Sequence, residues 1–230
     1  MSVTVHREGL EAGRLDIFVD GAFAFTLTLL AIGGAEIPKD VGRMVHLLGE
    51  VPAAAACFAQ MARFWHGHVQ WRTHCTRATA QGLVLSLLLV FFALIVVYPL
   101  HMVYASLFNV LSAGYLSSDF GLHRAPDVKA LFAIFGFSYV CMSGTLALLF
   151  RHAAKVASAH GEDDFVPRMR AVLWLIPAGV GALSGIVALA LPDDAPGWSF
   201  AVPGLIYSLL MGMGWISRRM RASAGRPTDL

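Results

Sequence analysis

The sequence predicts an all-α, polytopic membrane protein with six transmembrane helices, and three observations lead there. Mean hydropathy is +0.65, 57% of residues are hydrophobic and only 14% are charged, against roughly 25% charge in soluble globular domains. A helical span needs about 20 mostly apolar residues, and six stretches meet that measure, at 13–33, 49–70, 79–103, 127–150, 170–191 and 198–217. Lysine and arginine are also unevenly placed. With six spans, Arg7, Arg14, Arg72, Arg77, Arg151, Lys155, Arg168, Arg170, Arg218, Arg219, Arg221 and Arg226 share one side, and Lys39, Arg43, Arg124 and Lys129 the other, with Arg63 inside the second span. The richer side is the cytoplasmic one, so both termini are expected in the cytoplasm of a multi-pass protein of the cell membrane. Spanning backbone must satisfy its own hydrogen bonds, which makes every span a helix.

The first span carries Arg14, Asp16 and Asp20 at the mouth of an apolar run. An ionisable group one turn inside hydrocarbon costs about 2.5 to 3.5 kcal/mol on insertion scales, so Asp20 needs a compensating partner. The second span includes Gln60, Arg63, His66 and His68 and cannot face lipid all round. The third and fourth, nearly unbroken over 83–97 and 131–150, read as lipid-facing scaffold. Residues 104–127, with Asn109, Gly114, Ser117, Ser118 and Asp119, read as a structured extramembrane loop. In the fifth span Gly181 and Gly185 form a GxxxG pair that lets another helix approach closely, and packing within the chain is the expected use. The sixth span closes a membrane domain over 1–217, and 218–230 reads as a basic cytoplasmic anchor followed by disorder.

Several function classes drop out. A net charge of +2 with arginines beside apolar runs forms no basic face for nucleic acid. Cys57, Cys75 and Cys141 are odd in number and lack CxxC spacing, so neither a disulfide framework nor a zinc knuckle is indicated. The N-terminus lacks the short apolar core and cleavage site of a secretory signal. No GxSxG elbow, phosphate-cradling loop or intramembrane Ser-His-Asp set is present, so no enzyme and no cofactor are expected. His66, His68 and His74 suggest a metal, but His66 and His68 point to different sides of a helix, and no site is completed.

Two features do suggest chemistry. Phe25, Thr28, Leu29 and Ile32 recur at i, i+3, i+4 and i+7 on the first helix. Such a stripe either packs against neighbours or, if several copies surround one axis, lines a pore with apolar rings and one hydroxyl layer. Asp20 and Arg63 lie at similar depth on adjacent antiparallel helices, so an ion pair between them is expected to lower the cost of both. Arg14 is the competing partner for Asp16 or Asp20.

The motif Arg14-x-x-x-Phe18-x-Asp20, the Thr-Leu-Leu that follows, and Trp65-x-x-His68 at the end of the second span resemble the transmembrane protein 175 family, the lysosomal potassium channel and its prokaryotic single-repeat homologues. The resemblance implies a homotetramer with first helices around a central pore that lacks a potassium-channel signature loop. It implies Phe25 at the hydrophobic constriction, Thr28 at the threonine layer, and Leu29 and Ile32 at further apolar rings. Arg14, Phe18, Asp20, Trp65 and His68 carry the motif, and Arg63 joins them as a helix-locking residue. Three departures stand out: Val19 replaces the motif serine, Phe25 is bulkier than the usual isoleucine, and Gln81 stands where asparagine is usual. The implied function is a potassium-permeable channel for monovalent cations; the alternative is a non-conducting scaffold or sensor of the same fold.

Overall fold

A computed structural model of the chain describes residues 2–32, 39–76, 79–116, 118 and 124–226, with side chains in the first helix described over 13–30. The side chains of Arg7 and Ile32, together with Arg77, Ser117 and Asp119, lie outside the described residues. The chain forms α1 (Ser2–Ile32), α2 (Val41–His74), α3 (Ala80–Leu111), α4 (Ala125–Ala159) and α5 (Phe165–Ala190). A sixth rod, Gly197–Ser223, follows. It winds as a 3-10 turn (Gly197–Ala201), α6 (Val202–Leu205), a second 3-10 stretch (Ile206–Gly212) and α7 (Met213–Ser223).

Side-chain caps start two of the rods. The Asp40 carboxylate accepts from Arg43 N–H at 2.7 Å ahead of α2, and Thr79 Oγ1 accepts from Gly82 N–H at 3.1 Å ahead of α3; each satisfies a donor that a helix start leaves open. Among the described residues five rods are long and apolar enough to cross a membrane: α2, α3, α4, α5 and Gly197–Ser223. α1 is not among them over its described side chains, which include the charged Arg14, Asp16 and Asp20.

The fourth span differs from its lipid-facing expectation. In the most apolar window of α4 56% of residues are buried, against 11% in the sixth rod, so α4 is the hub of the bundle. Its Met142, Leu146, Leu149, Phe150 and Ala153 are inaccessible. An unbroken apolar run suits a core helix and a lipid-facing one equally well, which is why composition misassigned it. The sixth rod is peripheral, with Leu205, Leu209, Met211 and Trp215 exposed and Ser184 Oγ–H donating to Pro203 C=O at 2.8 Å.

The α4–α5 contact is made through glycine. A Cβ on Gly136 would sit 2.3 Å from Gly181 O, and one on Gly181 would sit 2.7 Å from Gly136 O, whereas one on Gly185 meets nothing nearer than 3.6 Å. The GxxxG pair thus packs within the chain, and Gly181 is its tight member. The 104–127 segment is shorter as a loop than expected, because α3 runs on to Leu111. Beyond it Ala113 and Gly114 take positive φ, and Asn109 Nδ2–H donates to Leu116 C=O at 2.7 Å.

The basic tail is helical as far as Ser223, and Arg226 then pairs with Asp163 at 2.5 Å and lies over the Phe165 ring at 4.7 Å. This ties the chain's end to the α4–α5 turn. The Arg226 hydrogen bond, helped by Phe165 N–H, lowers the Asp163 pKa below the usual carboxylate value. A depressed carboxylate pKa stabilises the contact above the ordinary value, and that contribution is lost as pH falls through the lowered one. A carboxyl 13C titration is expected to place Asp163 below free aspartate and to return it toward that value in Arg226→Gln; an unmoved midpoint contradicts the pairing.

Candidate functional site

α1 has two faces. Val19, Phe23 and Thr26, at i, i+4 and i+7, are buried against the bundle. On the other side Ile17, Gly21, Ala24, Phe25 and Thr28 are exposed, Phe25 to 57%. Leu29 is half-buried. Of the expected stripe, Phe25 and Thr28 thus fall on the side that this chain leaves uncovered, Leu29 lies at its edge, and the side chain of Ile32 is outside the described residues. Both hydroxyls turn back on their own helix: Thr26 Oγ1–H donates to Ala22 C=O at 2.9 Å and Thr28 Oγ1–H to Ala24 C=O at 3.0 Å.

The helix lock is built differently from the expected Asp20–Arg63 pair. Asp20 Oδ1 accepts from the Trp65 indole N–H at 2.8 Å. Asp16 pairs with Arg72 Nε at 2.7 Å, and Arg72 Nη1 also donates to Cys75 C=O. His68 is buried with its Nε2 2.9 Å from Ser86 Oγ on α3. Trp65, His68 and Arg72 are spaced i, i+3 and i+7, so α2 uses one stripe to hold α1 and α3 together.

Arg63 belongs to a second stripe. It lies over the Trp174 ring at 5.9 Å and donates to Met213 Sδ at 3.4 Å. On the same side Gln70 Nε2–H donates to His66 Nε2 at 2.8 Å, and Gln70 Oε1 accepts from Arg170. A separation of two residues turns a helix by roughly 200°, so Arg63 faces α5 and the sixth rod while Trp65 faces α1. Similar depth set the expectation, and azimuth overturns it. Arg14 is exposed and pairs with neither Asp16 nor Asp20 among the described residues. Phe18, also in the motif, is exposed on the outer side of α1.

Gln60 accepts from Tyr139 O–H at 2.8 Å, so Gln60, Arg63, His66 and His68 each meet protein. The histidines diverge: His66 joins Gln70, His68 joins Ser86, and His74 rests on the Phe150 ring at 6.4 Å. Among the described residues no three His, Cys, Asp or Glu side chains form a metal-binding group. Arg72 and Ser86 were not singled out as partners from sequence, although the i, i+3, i+7 spacing of Trp65, His68 and Arg72 was visible there.

The region that builds this lock is also the region with a family match. Residues 14–99 match the family model described as endosomal/lysosomal potassium channel TMEM175. Over these residues the chain resembles the TMEM175 family. The matched TMEM175 segment holds every member of the α1–α2–α3 lock. The fold is that of solved TMEM175 proteins. A variant of the potassium channel MtTMEM175, in complex with a nanobody–MBP fusion protein, superposes with a TM-score of 0.77 at 22% identity over 91% of this chain and 93% of that one. A lysosomal potassium-selective channel TMEM175 homologue from Chamaesiphon minutus gives 0.60 at 18% identity over 90% and 98%. No curated protein sequence matches the chain.

Proposed function

We propose that this chain forms a homotetrameric, potassium-permeable cation channel whose α1 helices surround a shared axis. The observation that carries the reading is the uncovered face of α1. Phe25 and Thr28 stand out from a helix whose opposite face is fully packed, and the family match begins on that helix. In such a pore Phe25 forms the constriction, Thr28 the polar layer, and Leu29 and Ile32 the further rings; ions cross by passive transport, and apolar rings gate by dewetting. Both termini lie in the cytoplasm, on the arginine-rich side.

The lock divides the work between the two carboxylates. Asp16 is neutralised by Arg72, whereas Asp20 meets a neutral indole and keeps its net charge. Asp20 is therefore the group that makes the cytoplasmic mouth attractive to cations. Arg63, turned to α5, adds no opposing charge there.

Purified protein in liposomes with a potassium gradient is expected to pass cations, and Phe25→Ala to raise the flux severalfold by widening the ring. If neither protein passes cations, the channel reading fails and the non-conducting scaffold takes its place.

A further inference from the structure

The α4–α5 pair meets backbone to backbone at Gly136 and Gly181, in the N-terminal half of α4 and the C-terminal half of α5. At the other end the two helices leave a cavity of about 720 Å³. The lining explains the space: Ala154, Ser158 and Ala159 from α4, and Ala171 from α5, carry too little side chain to fill it. Arg151 and Lys155, one turn apart on α4, and Arg168 at the start of α5 line its rim. Val172 and Leu175 continue its apolar wall along α5.

Among the described residues no carboxylate lines the cavity. Nearby Asp164 is paired with Arg168, and Asp163 is held by Arg226. Among the described residues Arg151 and Lys155 have no carboxylate partner. The cations stand at the ends of the spans expected at 127–150 and 170–191, and Ala171, Val172 and Leu175 fall within the second of these. Arg168 and Leu175 are seven residues apart, about 10 Å along a helix. A charged rim outside the hydrocarbon and an apolar wall inside it match the two parts of a lipid.

We propose that this cavity is a binding site for an anionic phospholipid. Its phosphate sits among Arg151, Lys155 and Arg168, and an acyl chain lies along Ala171, Val172 and Leu175. Basic pockets between helices at the cytoplasmic leaflet, where anionic lipids concentrate, have this character. A soluble phosphate would use the rim and leave the apolar wall empty. The assignment uses the orientation proposed above, with this end facing the cytoplasm. A bound lipid here would brace the α4–α5 pair at the end away from the glycine contact.

Native mass spectrometry of the whole protein in detergent, with phosphatidylglycerol or phosphatidylcholine added, tests the site. Phosphatidylglycerol is expected to be retained in excess, and Arg151→Gln with Lys155→Gln is expected to weaken that retention about tenfold. Val172→Trp, which fills the wall and keeps every charge, is expected to remove the excess as well. Lys129→Gln, at the far end of the bundle, should leave it unchanged. Each variant is first required to match the wild-type elution volume. Equal retention of the two lipids, or an excess that survives both the paired and the Val172→Trp variants, overturns the site. Glycerol 3-phosphate competing as well as the lipid overturns the lipid assignment in favour of a soluble phosphate. Bound mass in detergent depends on neither conduction nor sidedness, so a failed flux assay and a failed lipid assay are told apart.

Discussion

Gly136→Ala is expected to cost the folded bundle about 3 kcal/mol or more, a large effect for one added methyl group. The new Cβ would lie 2.3 Å from Gly181 O and 3.1 Å from Gly185 N. Both are backbone atoms, so no side chain can swing aside, and the rods must part along the contact that seats the hub helix. The helix-propensity gain of alanine over glycine, about 1 kcal/mol, does not offset this. Gly185→Ala is the control, since its nearest neighbour at 3.6 Å is an ordinary contact. Thermal unfolding in detergent should show a large loss for Gly136→Ala and little change for Gly185→Ala. Equal stabilities would mean that the rods do not meet through these glycines.

Asp16→Asn is the second substitution expected to have a large effect, near 2 kcal/mol. Arg72 has only 14% of its side chain exposed, and Asp16 has 37%. Removing one partner of a fully buried pair costs 3 to 5 kcal/mol, because the other charge is stranded; the partial exposure of Asp16 puts this pair below that range. Cys75 C=O and the Trp71 ring at 5.4 Å still engage the guanidinium, but neither supplies a countercharge. Arg72→Met in the Asp16→Asn background should recover part of the loss, and a double-mutant cycle should give a coupling of about 1 to 2 kcal/mol. Lys129–Asp193, with Asp193 67% exposed, should contribute less than about 1 kcal/mol. A vanishing coupling for Asp16 and Arg72 would remove this anchor of α1.

Particular residues show how far the sequence could be read. Apolar run lengths placed all six rods, because a bilayer span has a fixed minimum. The motif residues Asp20, Trp65 and His68 were recognised, and the structure brings each to a neighbouring helix. What failed was direction around the axis. Counting residues inward gave Asp20 and Arg63 the same depth, but the contact belongs to Trp65, two positions on and on the opposite side of α2. A helical wheel separates Trp65, His68 and Arg72 from Arg63, His66 and Gln70, so that information was present. The role of α4 was not, since hydrocarbon and protein interior select the same side chains. The tight glycine was half legible: GxxxG marked Gly181 and Gly185, but the companion Gly136 on α4 has no motif of its own.

The threonine on the open side of α1 has one proton, and Ala24 C=O takes it. A hydroxyl so engaged offers its surroundings only lone pairs. If α1 lines the proposed pore, the oxygen at Thr28 would present lone pairs to the axis, a ligand for a partly dehydrated cation and a repulsive wall to chloride.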